Sequence, residues 1–234
     1  MNPLKQLLGQ TAIYGLSSIF GRLLNYLLVP LYTRYFSPSE YGDVSLLYAY
    51  VAILLIVLTY GMETAFFRFS QHHSSKSTVY STSLISLALS SILFVGVMLY
   101  YSQAIADALS FSEHPEYVTY FALILGLDAL SAITFAKLRE QNRALRFAAI
   151  RLLNIFINIG LNLFFIVYCP LAIAKGYAGI EWIQSLYSED IGIGYIFISN
   201  LVASAFTLLL FVPDMIRSTW RFDTALWRKM MIYA

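Results

Sequence analysis

The sequence predicts an all-α membrane protein, a bundle of six transmembrane helices with the start of a seventh. Three observations carry that prediction. Hydrophobic residues make up 59% of the chain and charged residues only 12%, whereas soluble domains carry about 25% charge. Mean hydropathy is +0.68, and the apolar residues gather into runs near the ~20 residues that a helix needs to cross a bilayer. Basic residues also fall heavily on one side of the alternating loops, the asymmetry that sets the orientation of multispanning proteins.

Six spans follow in order, at about 10–33, 41–67, 79–101, 117–138, 148–169 and 193–213, with a further one starting at Trp227. The chain therefore divides into residues 1–216, a six-helix transmembrane bundle, and residues 217–234, a cytoplasmic linker with the start of a seventh span that reads as truncated. The N-terminus is too polar and its span too long for a signal peptide. No linker or low-complexity stretch interrupts the bundle.

The first span holds an arginine in its middle. Arg22 lies about twelve residues in, or about 18 Å at ~1.5 Å per residue, near the bilayer midplane. A guanidinium there costs at least ~2.5 kcal/mol, so it should face protein or water. At ~100° per residue, Gln10, Thr11, Tyr14, Ser18, Arg22 and Asn25 fall within about 120° of arc, giving one wet face and one lipid face. A structural pairing with a neighbouring helix, or snorkelling, stays open beside an interior cationic site.

Ser37-Pro38-Ser39-Glu40 then signals a turn, with Ser37 or Ser39 placed to cap the second helix and Glu40 placed to favour its dipole. The second span ends in Tyr60-Gly61-Met62-Glu63, near the inner mouth. The third is rich in small hydroxyl residues, among them Ser83, Ser86 and Ser90, a pattern of close helix contact rather than chemistry. With the N-terminus inside, twelve of the fifteen Lys and Arg residues lie on the inner side: Lys5, Arg68, Lys76, Lys137, Arg139, Arg143, Arg146, Arg151, Arg217, Arg221, Arg228 and Lys229. The outer loops carry mostly acidic residues, and they are too short to hold a catalytic domain.

The fourth span carries Asp128 at roughly 15 Å depth, close to the level of Arg22, so the two form a plausible pair. Asp128 and Glu63 could each be a structural counter-ion or a proton or cation coupling site. In the fifth span Arg151, Asn154, Asn158 and Asn162 are spaced 3, 4 and 4, which sets them in one stripe on a helix otherwise made of Leu, Ile and Phe. Interhelical hydrogen bonding explains one asparagine; three beneath an arginine suggest a cavity wall. The basic loop Lys137–Arg146 is accounted for by orientation and by attraction to anionic headgroups. The sharper alternative is a mouth that gathers a phosphate-bearing substrate, since arginine's forked donors suit phosphate.

No phosphate-binding Gly-rich loop, nucleophile elbow or metal-ligand spacing occurs. The single cysteine, Cys169, beside Pro170, reads as an apolar filler. No catalytic residue, metal or cofactor is called for, and catalysis has no visible home in the chain.

The residues from Gly9-Gln-Thr-Ala-Ile-Tyr-Gly15, through Arg22-Leu-Leu-Asn25 and Pro30-Leu-Tyr-Thr-Arg34, to Tyr41-Gly42 resemble the start of polysaccharide (O-antigen, Wzx-type) flippases. These share a superfamily with multidrug and toxin extrusion (MATE) transporters. Tyr60–Arg68 and Arg139-Glu-Gln-Asn-Arg143 are similar too; elsewhere the likeness is mostly one of hydropathy. The resemblance implies the N-lobe of a MATE-like fold in a multi-pass protein of the bacterial inner membrane, N-terminus cytoplasmic. It implies transport of undecaprenyl-diphosphate-linked oligosaccharide for O-antigen, lipopolysaccharide or other polysaccharide export. Basic cavity residues would hold the diphosphate, a role that Arg22 and Arg151 suit.

Members of that family have twelve to fourteen spans, so this chain is expected to be an N-terminal half; a homodimer of halves is the lesser alternative. The expected substrate path is Arg22, Asn25, Arg151, Asn154 and Asn158, with Asp128 and Glu63 as counter-ions or coupling sites. Expected partners are the lipid-linked oligosaccharide, membrane lipids and a second lobe, with no nucleic acid. A cation-coupled drug or small-molecule antiporter of the same fold is the rival reading. A glycan polymerase or transferase would want a large outer loop or paired catalytic residues.

Overall fold

A computed structural model of the chain describes residues 13–16, 19, 23–24, 26–72, 75–109, 111–176 and 180–234. Among these residues the regular structure is helical throughout. In chain order the helices are α1 (Leu28–Tyr35), α2 (Pro38–Thr59), α3 (Met62–His72), α4 (Lys76–Tyr100), α5 (Ser102–Ala108), α6 (Pro115–Glu140), α7 (Ala144–Asn162), α8 (Cys169–Lys175), α9 (Ile180–Leu186), α10 (Gly194–Ile216) and α11 (Thr224–Tyr233). A π-helical turn, Leu163–Tyr168, joins α7 to α8.

Five stretches are long and apolar enough to cross a membrane: Pro38–His72, Lys76–Tyr100, Pro115–Glu140, Ala144–Lys175 and Gly194–Ile216. They correspond to the second to sixth expected spans. Most of the first, with Arg22 and Asn25, lies outside the described residues, and its end appears as α1. The protein is thus an all-helical, multi-pass membrane protein.

Local chemistry fixes the helix ends. Ser37 caps α2 through a reciprocal box, its hydroxyl accepting from Glu40 N at 3.3 Å while Ser37 N donates to the Glu40 carboxylate at 2.8 Å. Ser75 and Asp223 cap α4 and α11 in the same sense, accepting from Thr78 N and Leu226 N. At the end of α6, Asn142 takes a left-handed φ of 56° and Arg143 N reaches back to Leu138 O at 2.9 Å, the bonding of a Schellman turn that asparagine tolerates.

Two spans differ from their expected outlines. The stretch 41–67 is not one continuous helix: Tyr60 (φ 35°) and Gly61 (φ 69°) break it into α2 and α3. Gly61 is required twice over, by its φ and because a Cβ there would sit 2.6 Å from Ala234 O. The fifth span does not end before Pro170 but continues to Lys175. Pro170 has no N–H to give the preceding turn, and the wide turn Leu163–Tyr168 takes up that defect without ending the helix.

Helix α6 is the axis of the bundle. It packs against α2, α3, α4, α5, α7 and α10, and 61% of its apolar window is buried, against 17% for Pro38–His72. Burial of apolar groups gains little in lipid, so contact quality decides. Gly126 provides one close approach, because a Cβ there would meet Val95 of α4 at 2.8 Å. An aromatic knot closes the end of the bundle near Glu116: Phe197 lies 4.7 Å from Phe121 and 5.1 Å from Tyr117 between ring centroids. Such pairs contribute about 0.5–1.5 kcal/mol each.

A second cluster sits at the opposite, basic end, where Met62, Phe66, Tyr80 and Ile133 receive Leu226 and Met230 of α11. The small hydroxyl residues of α4 serve this contact: Ser83 and Ser86 are buried, and Trp227 Nε1 donates to Ser86 Oγ at 2.8 Å. Outward, α2 presents Ile53, Ile56 and Val57 and α4 presents Leu89, Ile92 and Leu93, all exposed. Such apolar faces are suited to lipid chains.

Candidate functional site

Two cavities, of about 330 and 170 Å³, run between α1, α2, α6, α7 and α10 and share Asn154 and Asn200 as a common wall. The first is lined on one side by Tyr32, Tyr41, Ser45 and Tyr48 and on the other by Asn154, Asn158 and Asn200. The second reaches toward the basic end and gathers Glu63, Asp128, Arg139, Arg151, Ser204 and Thr207.

The asparagine stripe of α7 divides by depth. Asn158 faces the larger cavity, and Asn154 faces both while donating to Thr207 Oγ1 at 2.9 Å. Asn162 is fully buried and serves as a tie: its Oδ1 accepts from Tyr32 OH at 2.9 Å, and its Nδ2 donates to Asn158 O at 2.8 Å. Across the cavity Asn200 Nδ2 donates to Tyr48 OH at 3.2 Å. The walls therefore present amides and phenols held by one another, which can also trade partners with a polar guest.

The charged groups sit lower. Arg139 Nη2 donates to Glu63 Oε2 at 2.7 Å, so Glu63 is the counter-ion of Arg139. Arg139 also lies 5.4 Å over the Phe67 ring, and its Nε is buried without a hydrogen-bond partner among the described residues. Arg151 lies 4.9 Å over the Phe135 ring. Asp128 faces the same cavity as Ser204 and Arg151. The lower cavity thus holds two guanidiniums and two carboxylates among the described residues, a balance that limits the net charge held among the apolar spans.

Of the residues singled out in the sequence, Arg151, Asn154, Asn158, Asp128 and Glu63 converge on this cleft. Arg22 and Asn25 lie outside the described residues, and so does the expected Arg22–Asp128 pair. Several contributors were not anticipated. By sequence Arg139 belongs to the basic loop, yet it sits in the last turn of α6 and turns inward to Glu63. Tyr48 carried no polar signal within an apolar run. Asn200, Ser204 and Thr207 are spaced 4 and 3 along α10, so the helical-stripe argument that found the α7 row would have found them too.

These features define a class: a helical, multi-pass membrane protein with a polar cleft between its spans. The chain belongs to the polysaccharide biosynthesis protein family, whose pattern matches residues 31–178, more than half of its length. Neither a curated protein nor a solved structure matches it. The matched stretch includes the α7 wall of the cleft and stops short of α10.

Proposed function

We propose that the chain is the N-terminal lobe of a flippase. It carries undecaprenyl-diphosphate-linked oligosaccharide across the bacterial inner membrane by alternating access, for polysaccharide export. The observation that carries this reading is a cleft lined by amides, phenols and guanidiniums from separate helices, in a chain of the polysaccharide biosynthesis family. A lipid-linked oligosaccharide presents hydroxyl-rich sugars on a diphosphate. Asparagine amides and tyrosine hydroxyls suit the first, and forked guanidiniums suit the second.

In this reading Arg151, Asn154 and Asn158 line the substrate path, and Arg22 and Asn25 continue it on the first span. Asp128 and Glu63 serve as counter-ions or coupling sites. The N-terminus is cytoplasmic, because twelve of fifteen basic residues then lie inside. A second lobe completes the transporter, since alternating access rocks two bundles about a shared site.

One observation favours a rival, a cation-coupled antiporter for small molecules: in the lower cavity Glu63 and Asp128 match Arg139 and Arg151 in number. Arg151→Ala in the complete gene separates the two readings. The flippase reading expects loss of surface glycan at unchanged protein level, with Arg151→Lys nearly as harmful if forked phosphate contacts matter. Unchanged surface glycan takes Arg151 off the path, and lost drug efflux with normal glycan supports the antiporter.

A further inference from the structure

Outside the cleft, a pocket of about 490 Å³ opens at the basic end, where α4 begins and α6 and α10 end. Its wall holds three cations, Lys76, Lys137 and Arg217, and one carboxylate, Glu140. Glu140 is already taken, since Lys76 Nζ donates to its Oε1 at 2.5 Å. That leaves Lys137 and Arg217 with no carboxylate partner within salt-bridge distance among the described residues.

Lys137 is half-buried, and its ammonium rests 3.8 Å from the Tyr80 ring centroid and 3.5 Å from the Asp214 carbonyl oxygen, while the carboxylate of Asp214, its nearby counter-charge, is already held by Arg146. A half-buried cation that shares its nearest carboxylate with another cation is left undercompensated, and an anion in the pocket would relieve that cost. The first turn of the 25-residue α4 opens onto the same space at Lys76 and Ser77, so the helix dipole adds to the positive potential there. The pocket stands at the level where spanning helices end, the depth of phosphate headgroups, and basic pockets between such helices are suited to them.

We propose that this pocket binds a phosphate group, carried by an anionic lipid headgroup or met as free phosphate, between Lys137 and Arg217. The site is separate from the cleft and does not depend on the flippase reading.

The test uses the whole chain, purified in detergent and titrated with dioleoylphosphatidylglycerol under native mass spectrometry. A parallel titration with inorganic phosphate is followed by thermal stability. The pair Lys137→Gln with Arg217→Gln should weaken retention about tenfold, as expected for losing two charge-assisted contacts. A control pair of exposed basic residues, Arg143→Gln with Arg228→Gln, should stay within about twofold of the parent. If millimolar phosphate displaces the lipid, the phosphate alone is recognised; if it does not, the headgroup's glycerol or chains contribute. Should Lys137→Gln fail to fold, Arg217→Gln alone must still weaken binding severalfold, because Arg217 is exposed, and Lys137→Arg must retain it. Binding unchanged in the Lys137 and Arg217 variants, or lost equally in the control pair, overturns the proposal.

Discussion

Tyr32→Phe removes one oxygen atom from the upper end of the cleft, and the structure sets the size of the effect. The Tyr32 hydroxyl donates to Asn162 Oδ1 at 2.9 Å, with Tyr32 8% exposed and Asn162 0% exposed. A sealed acceptor that loses its donor costs about 1–3 kcal/mol. The upper half of that range applies, because the Asn162 amide stays pinned to Asn158 through two contacts of 2.8 and 3.0 Å and is held against turning its oxygen elsewhere. Asn162→Leu should cost less than this from the hydroxyl's side, since Tyr32 borders the larger cavity and its hydroxyl can turn toward water. The double variant leaves no orphan at this contact and should fall short of the sum of the singles by about 1 kcal/mol or more.

Cys169 supplies the assay. It is the sole cysteine and is fully buried, so a thiol-reactive dye reports unfolding in detergent. At ~2–4 °C per kcal/mol for a chain of this size, a loss of about 2–3 kcal/mol in Tyr32→Phe should lower the midpoint by about 4–12 °C. Additivity of the three variants within about 0.5 kcal/mol would mean that the two residues do not meet, and that the cleft is not closed there as described.

Three further outcomes are expected. Gly61→Ala combines a left-handed φ of 69° with a Cβ 2.6 Å from Ala234 O, so it should destabilise by at least the ~1–2 kcal/mol of backbone strain alone, and lower the midpoint in the same assay. Trp227→Phe loses the indole bond to Ser86 but leaves Ser86 its 2.7 Å contact with Tyr60 OH, so a loss of about 0.5–1.5 kcal/mol in the same assay is expected. Glu63→Gln frees Arg139 from its counter-ion and should change export of surface glycan, whereas Arg143→Gln, exposed in the next loop, should not; equal effects would detach Glu63 from the path.

Much of this was legible from periodicity alone. Arg151, Asn154 and Asn158 share a helix face by arithmetic, and an amide row among Leu, Ile and Phe is costly unless it meets something polar. The arithmetic does not say which amide is wall and which is tie: Asn162 continues the row but is sealed by Tyr32, a partner 130 positions away. Arg139 escaped because composition assigns a basic residue near a helix end to the interface, and only the packing of α3 places Glu63 beside it. The break at Tyr60–Gly61 was hidden for a different reason. A lone glycine in a helical pattern does not by itself end a helix, and two left-handed residues in series depend on what packs beside them.

The π-helical turn at Leu163–Tyr168 separates the fifth span into two limbs with different work. A wide turn holds one residue more than an α-turn, which rotates everything beyond it by about 100° relative to the stretch before. Beneath the seam the limb shows its amides to the cleft. At the seam itself Phe165 stacks 4.6 Å from Tyr195 of α10, which stacks 5.2 Å from Tyr187, and above it the limb buries Cys169 and Ala172 in the same apolar cluster. A residue gained or lost at the seam would swing the limb beyond it, with Cys169 and Ala172, around the axis while the amide row kept its heading, so that end of the span can be repacked without disturbing the cleft wall.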